Sequence, residues 1–205
     1  MPDRAGAARR TSLRAEQVRQ TRAALIAAGR LLFGRDGFAA TSVEDLASQA
    51  RVTTGALYHH FPNKLTLFET VFEAVHGELL DAAERAAASG SDELESIALS
   101  FQAYLDQLLE PEVQRILIVD APAVLGLARF TELDERYAFA MIEEALRSAT
   151  AAGQLAVRDP ETVTRLLLGA IVRGGTLIAS SAEPDRTRDA VAAALRTMLA
   201  GFAAS

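Results

Sequence analysis

Two helix-start signals stand close together near the N-terminal end, and they restrict what this chain can become more than any other feature. Thr41-Ser42-Val43-Glu44 reads as a capping box. Thr53 reads as the cap of a further helix, with Arg51-Val52-Thr53 as the break between the two. Helices confined in this way have only about two turns each and cannot persist alone, so they must share a core with a longer neighbour. The stretch from Leu13 to Arg35 supplies one: Val18, Leu25, Leu32 and Phe33 recur at helical spacing, and Asp36-Gly37 provides a stop. Val43, Leu46, Ala47, Val52 and Leu57 can close a small core against it. Three helices, the last two joined by a turn of about three residues, make a helix-turn-helix. Its outer face and leading end are then Thr53, Thr54, Gly55, Ala56, Tyr58, His59 and His60.

The rest of the chain is expected to be helical throughout. Pro62-Asn63 opens a long helix to about Ala88, and Asp92 caps one that carries Leu94, Ile97, Phe101, Leu105 and Leu108 on one face. Pro111 opens a short helix to about Leu117, and Asp120-Ala121-Pro122 begins another brief turn. Longer helices follow from about Ala128 to Ala152, from Pro160 to Ala182 and from Pro184 to Phe202. The expected fold is all-α: a disordered basic arm over 1–13, a three-helix helix-turn-helix domain over 14–62 with its motif at 42–61, and a larger helical domain over 63–205.

Charge is distributed unevenly. Residues 1–64 hold ten basic and five acidic side chains, so a head at +5 precedes a body at −11 within a net charge of −6. A basic head on an acidic body suits a polyanionic partner. The absence of cysteine excludes disulfides, thiolate zinc sites and a cysteine nucleophile. The Arg-rich N-terminus has no hydrophobic segment of the kind a secretory signal needs, and cytoplasmic location is the expectation. Glu73 and His76 have the Glu-x-x-His spacing of carboxylate-bridged metal bundles, but a second such pair is missing. No nucleophile elbow, dinucleotide fingerprint or phosphate loop occurs. No metal, cofactor or enzymatic activity is expected.

Each residue type on the candidate face has a use against DNA. Thr41 and Ser42 stand at one helix N-terminus, and Thr53 and Thr54 at the next, where free N–H groups favour phosphate. Gly55 and Ala56 let the backbone approach a base edge, while Tyr58 and His60 can donate to phosphate oxygens. Lys64, at the next helix start, adds a cation.

The runs Thr41-Ser42-Val43-Glu44-Asp45-Leu46-Ala47, Val52-Thr53-Thr54-Gly55-Ala56-Leu57-Tyr58-His59-His60-Phe61 and Asn63-Lys64-Leu65-Thr66-Leu67-Phe68 closely resemble the signature of the TetR family. The resemblance is specific over about Thr21 to Phe72. It implies double-stranded DNA and a small-molecule effector as partners, with Thr54, Gly55, Ala56, Tyr58 and His60 at the major groove or its backbone and Lys64 on phosphate. It also implies a ligand cavity among the helices that carry Phe72, Phe101, Tyr104, Leu108, Ile118, Phe130, Tyr137 and Met141. Asp120 and Arg173 fall in apolar stretches, where a charge wants a partner, either each other or a polar group of the ligand. Gly169, Ala170, Gly174 and Gly175 would let the last two helices approach those of a second chain, giving a homodimer. The alternative is a helical ligand carrier or enzyme that has lost DNA binding.

Overall fold

The computed structural model describes residues 4–204, with side chains described from Arg14 onward. The chain divides into two compact units, 1–71 and 72–205. All regular elements among the described residues are helical, apart from one isolated bridge between Leu155 and Ala203.

In the first unit, α1 (Arg4–Asp36) is followed by α2 (Val43–Gln49) and α3 (Thr54–His60). The expected helix start at Leu13 is corrected to Arg4. Ala5, Ala7, Ala8, Arg9 and Arg10 are good helix formers with no proline among them, so the packed helix propagates N-terminally through them. Of the expected arm, residues 1–3 lie outside the described residues. Val18 is 43% exposed, so the buried face of α1 begins at Leu25 and continues through Ala28, Leu32 and Phe33. Gly37, at φ +85°, ends α1, with its N–H donating to the carbonyl of Phe33 at 3.0 Å.

The first turns of α4 (Lys64–Ala87) complete this core. Phe33 lies edge-on to Phe68, with ring centroids 5.3 Å apart, and Phe38 meets Phe68 at 5.1 Å. Leu46, Leu57, Phe61, Leu67 and Phe68 are at most 1% exposed. Gly29 lets α1 approach α4 closely: a Cβ there would stand 2.9 Å from Cγ2 of Val71.

The second unit contains the remainder of α4, then α5 (Glu93–Gln107), a continuous helical run from Pro111 to Leu125, α8 (Leu127–Ala151), α9 (Pro160–Ala179) and α10 (Pro184–Ala200). The run comprises α6 (Pro111–Val113), a π-helical stretch (Gln114–Asp120) and α7 (Ala121–Leu125). Two short helices were expected here, and one is found. Pro122 lacks an N–H and its ring crowds the carbonyl four residues back. The wider π register, in which Ala121 N–H donates to Ile116 O, carries the helix past it. Gly126, at φ +76°, then permits the sharp passage into α8.

The unit is built around α8, α9 and α10. Leu133, Leu146, Ile178 and Leu199 are fully buried. Gly174 seats α9 against α10, where a Cβ would lie 2.6 Å from Cγ1 of Val191, and Gly175 accepts Ile118 of the π-helical stretch equally closely. Both glycines therefore serve packing within the chain. By length and composition α9 is apolar enough to cross a membrane, but Leu167, Leu168, Ile171 and Ile178 bury one of its faces in this core.

Candidate DNA-binding face and buried pocket

The turn between α2 and α3 is held by backbone geometry as much as by side chains. Ser42 caps α2: its Oγ accepts from Asp45 N–H at 3.0 Å, and the Asp45 carboxylate accepts from Ser42 N–H. The box partner is thus Asp45 rather than Glu44. At the far end, Arg51 adopts φ +57°, with Val52 N–H donating to Ala47 O at 2.9 Å and Arg51 N–H to Ser48 O at 3.0 Å. This is a Schellman closure built on a non-glycine residue. Two residues later Thr53 caps α3, its Oγ1 accepting from Ala56 N–H at 3.1 Å.

These constraints turn Leu57 into the core and the other side of α3 outward. Thr53, Thr54, Gly55, Tyr58 and His59 are exposed, and Ala56 and His60 are half-buried. Tyr58 is 52% exposed. The His59 and His60 rings lie 5.5 Å apart at 80° to each other, so they diverge instead of converging on one point. No acidic side chain occurs anywhere in α3. Nearby on α1, the Arg22 guanidinium lies over the Phe61 ring, 5.1 Å from its centre.

Two residues expected on this face are placed differently. Thr41 is 3% exposed, and its hydroxyl donates towards the carbonyls of Gly37 (2.8 Å) and Leu32 (3.3 Å). It buttresses the loop from inside, leaving the half-buried Ser42 as the more accessible residue at the start of α2. Lys64 Nζ donates to Phe38 O at 2.7 Å and Thr41 O at 2.9 Å, and lies 4.1 Å from the centre of the Phe38 ring. The ammonium therefore clamps the α1–α2 loop to the start of α4 and has one hydrogen left for an outside acceptor. Lys64→Ala is expected to destabilise the head by about 1–3 kcal/mol for two charge-assisted bonds, lowering its melting temperature, as well as weaken DNA binding. A thermal melt followed beside DNA titration checks this; weaker binding at an unchanged melting temperature would mean that the clamp carries no stability.

The second unit encloses a cavity among α4, α5, α8 and α9. Its walls include His76 and Leu80 from α4, Phe101 and Tyr104 from α5, Asp134 and Met141 from α8, and Leu168 and Ile171 from α9. It is tight: about 20 Å³ is open to the centre of a water-sized sphere, roughly the room for one water. His76 is 1% exposed and Asp134 8% exposed, with Nε2 3.5 Å from Oδ1. Burial holds His76 down at about 4. Burial, helped by neighbouring Glu135, pushes Asp134 up to about 7. Near neutrality the pair is therefore a neutral imidazole beside a half-ionised carboxyl, not an ion pair. Burial also drives the Tyr104 hydroxyl up.

Of the expected pocket residues, Phe101, Tyr104 and Met141 line this cavity. Phe72 and Tyr137 instead pack on His76, at 5.5 and 6.3 Å, and Phe130 packs on Phe72 at 6.0 Å. Leu108 and Ile118 close over Gly175. Two expectations are corrected. Asp120 lies 3.7 Å from Arg115 of its own π-helical stretch, and Arg173 is exposed on α9. Arg173 follows the outward side of an amphipathic helix, so an apolar neighbourhood in sequence did not mean burial. Asp134 was missed because it stands in the run Glu132-Leu133-Asp134-Glu135-Arg136 and reads there as one more solvated charge.

Comparison with known proteins covers both units. A family model described as "Bacterial regulatory proteins, tetR family" matches residues 25–71, and "Tetracyclin repressor-like, C-terminal domain" matches residues 94–202. A crystal structure of a TetR-family transcriptional regulator from Pectobacterium atrosepticum is 32% identical, with a TM-score of 0.82, covering 93% of this chain and 97% of that one. The probable HTH-type transcriptional regulator ArpR of Pseudomonas putida is 36% identical over 105 residues, 49% of each protein. The SmeT–triclosan complex is 26% identical with a TM-score of 0.67, covering 89% of this chain and 91% of that one.

Proposed function

The chain belongs to the TetR family of bacterial transcriptional regulators, and from that premise we propose that it is a repressor. Two copies bind a palindromic operator and are released by a small molecule held in the second unit. The observation that carries this reading is the outward side of α3: polar and aromatic, free of acid, and held at a fixed angle by the Schellman turn at Arg51 and the Thr53 cap. Thr54, Gly55, Ala56 and Tyr58 meet base edges or backbone in the major groove. Ser42, Thr53, His59, His60 and the free hydrogen of Lys64 meet phosphate.

Support for dimerisation comes from α9 and α10. Leu166, Gly169, Arg173 and Leu177 recur on the exposed side of α9, with Leu166 68% and Leu177 44% exposed. Ala190, Ala194 and Met198 do the same on α10. Arg173 apart, these form a stripe of small and apolar side chains at helical spacing, which suits a symmetric helix-on-helix interface. Two heads related by that symmetry reach successive major grooves about one DNA turn apart.

Release follows from the continuity of α4. Its first turns belong to the head, and further along the same helix His76 and Leu80 line the cavity. A ligand that prefers a displaced α4 draws the protein towards a shape whose heads no longer match the operator; one with equal affinity for both shapes would change nothing. The protein acts in the cytoplasm and carries out no catalysis.

The test is fluorescence anisotropy with the DNA upstream of the protein's own gene. Tyr58→Ala is expected to weaken binding by about 1–3 kcal/mol with the melting temperature unchanged, and the complex to contain two chains per site. Binding by the variant as tight as by the parent protein would sink the assigned face; one chain per site would sink the symmetric arrangement.

A further inference from the structure

The cavity of the second unit contains polar atoms that the protein does not use. Neither Nδ1 nor Nε2 of His76 has a hydrogen-bond partner among the described residues, although the side chain is 1% exposed. Asp134, 8% exposed, meets it at 3.5 Å, beyond ordinary hydrogen-bond length. Tyr104, Tyr137 and Phe72 surround the imidazole at 5.5 to 6.3 Å. Burying an imidazole without a hydrogen-bond partner beside a carboxyl is costly, and such a group calls for an explanation in use.

The chemistry of the pair selects its complement. A neutral imidazole offers one acceptor nitrogen and one N–H donor, and an ionised carboxylate only accepts. Between them acceptor sites outnumber donors, so the pair calls for a donor. No Lys or Arg lines the cavity, so nothing there would offset the charge of an anion. The remaining wall is aliphatic and aromatic. Two further polar side chains line it: Ser100 already donates to Ile97 O at 2.8 Å, and the Tyr104 hydroxyl, kept protonated by burial, is a single donor on α5.

We propose that the effector is a compact, largely apolar molecule with a hydrogen-bond-donating head, a hydroxyl or a protonated amine, received jointly by His76 and Asp134, and that anionic molecules are refused. This rests on the reading of the second unit as the effector domain. With room for about one water, the cavity must open to admit such a molecule. Met141, unbranched and adaptable, and Leu80 are the side chains that give way. Leu80 stands one turn beyond His76 on α4, so entry of the apolar body and capture of the head both act on that helix.

A pH dependence follows. Asp134, held at about 7, must be ionised to act purely as an acceptor for the ligand's head, so affinity for a donor ligand falls as pH drops below 7, by about tenfold per unit at the limit. Tyr104 on α5 and Glu135 and Tyr137 on α8 are the other titratable groups near the pair. Glu73 on α4 is paired with Arg136 at 3.7 Å, Glu135 is paired with Arg165 at 2.8 Å, and α9 presents only Leu168, Ile171 and Val172.

The experiment is calorimetric titration of the full chain with 4-ethylphenol, 2-phenylethylamine, ethylbenzene and 4-ethylbenzoate, at pH 8 and pH 6. The phenol or the amine is expected to bind at least tenfold more tightly than ethylbenzene at pH 8 and to lose about tenfold by pH 6. Whichever of the two binds more tightly identifies the head. The benzoate is expected not to bind. Asp134→Asn should erase the preference over ethylbenzene while leaving ethylbenzene binding intact. Ethylbenzene binding as tightly as both donors, benzoate binding more tightly than either, affinity rising towards pH 6, or no binding by either donor probe would each overturn the proposal. Operator binding without any probe is measured in parallel. Its absence would overturn the repressor reading, while the probe series reports on the cavity alone.

Discussion

Asp134→Asn is expected to raise the melting temperature strongly at pH 8 and only slightly at pH 4.5. Asp134 titrates at about 7 in the fold against 3.8 ordinarily, so the folded protein holds this proton more tightly than the unfolded chain does. The fold therefore carries a penalty that is absent below about pH 3.8, grows as pH rises, and is complete above 7. At about 1.4 kcal/mol per unit the shift corresponds to roughly 4 kcal/mol; the amide, still buried and polar, recovers about 3 kcal/mol of it. For a helical unit of this size that is on the order of 10 °C at pH 8. His76 works in the opposite direction: its value of about 4 withdraws stability as pH falls below 6.5. Because both proteins retain His76, the difference between their melts isolates Asp134. A gain of equal size at both pH values would mean that the carboxylate is not the cause.

The second large effect separates neighbouring residues of α3. Leu57 is 0% exposed and Tyr58 is 52% exposed. Leu57→Ala removes a side chain from the meeting point of three short or N-terminal helices, at a cost of about 3 kcal/mol. In a head of some seventy residues this is a large part of the total stability. The expected result is an early unfolding transition, with operator binding lost at 37 °C and regained on cooling. Tyr58→Ala should weaken binding equally at both temperatures. Circular dichroism melts with anisotropy at two temperatures check this, and a Leu57→Ala protein that melts with the parent protein would contradict the core assignment.

The helical organisation was legible in the sequence because caps and stops are local. Asp92, Asp159 and Thr53 cap helices where their spacing places them, since a side-chain oxygen needs only the N–H groups of the following turn. Thr41 and Ser42 show where locality ends. Both can cap, and the choice fell to Ser42 because Thr41 is drawn inward by carbonyls of Leu32 and Gly37. Lys64 is the same case on a longer span: its acceptors are backbone oxygens of Phe38 and Thr41, which have no signature in the sequence. Of the aromatic residues expected around a cavity, Phe101 and Tyr104 line one while Phe72, Phe130 and Tyr137 pack on its neighbours, and its polarity was illegible. His76 and Asp134 lie on α4 and α8 and meet only by packing. Arg173 stands in an apolar run, where burial is the expectation, yet it shares the exposed side of α9 with Leu166 and Leu177.

Lys64 is the one lysine among the 205 residues. Incorporation of carbon-13 lysine therefore labels a single side chain and leaves its three N–H donors intact. That side chain sits on the fastening between the α1–α2 loop and α4. Its Cε resonance, shifted by the Phe38 ring 4.1 Å from Nζ, becomes a spectroscopic gauge of whether the fastening is closed, in free protein, on DNA and with effector bound.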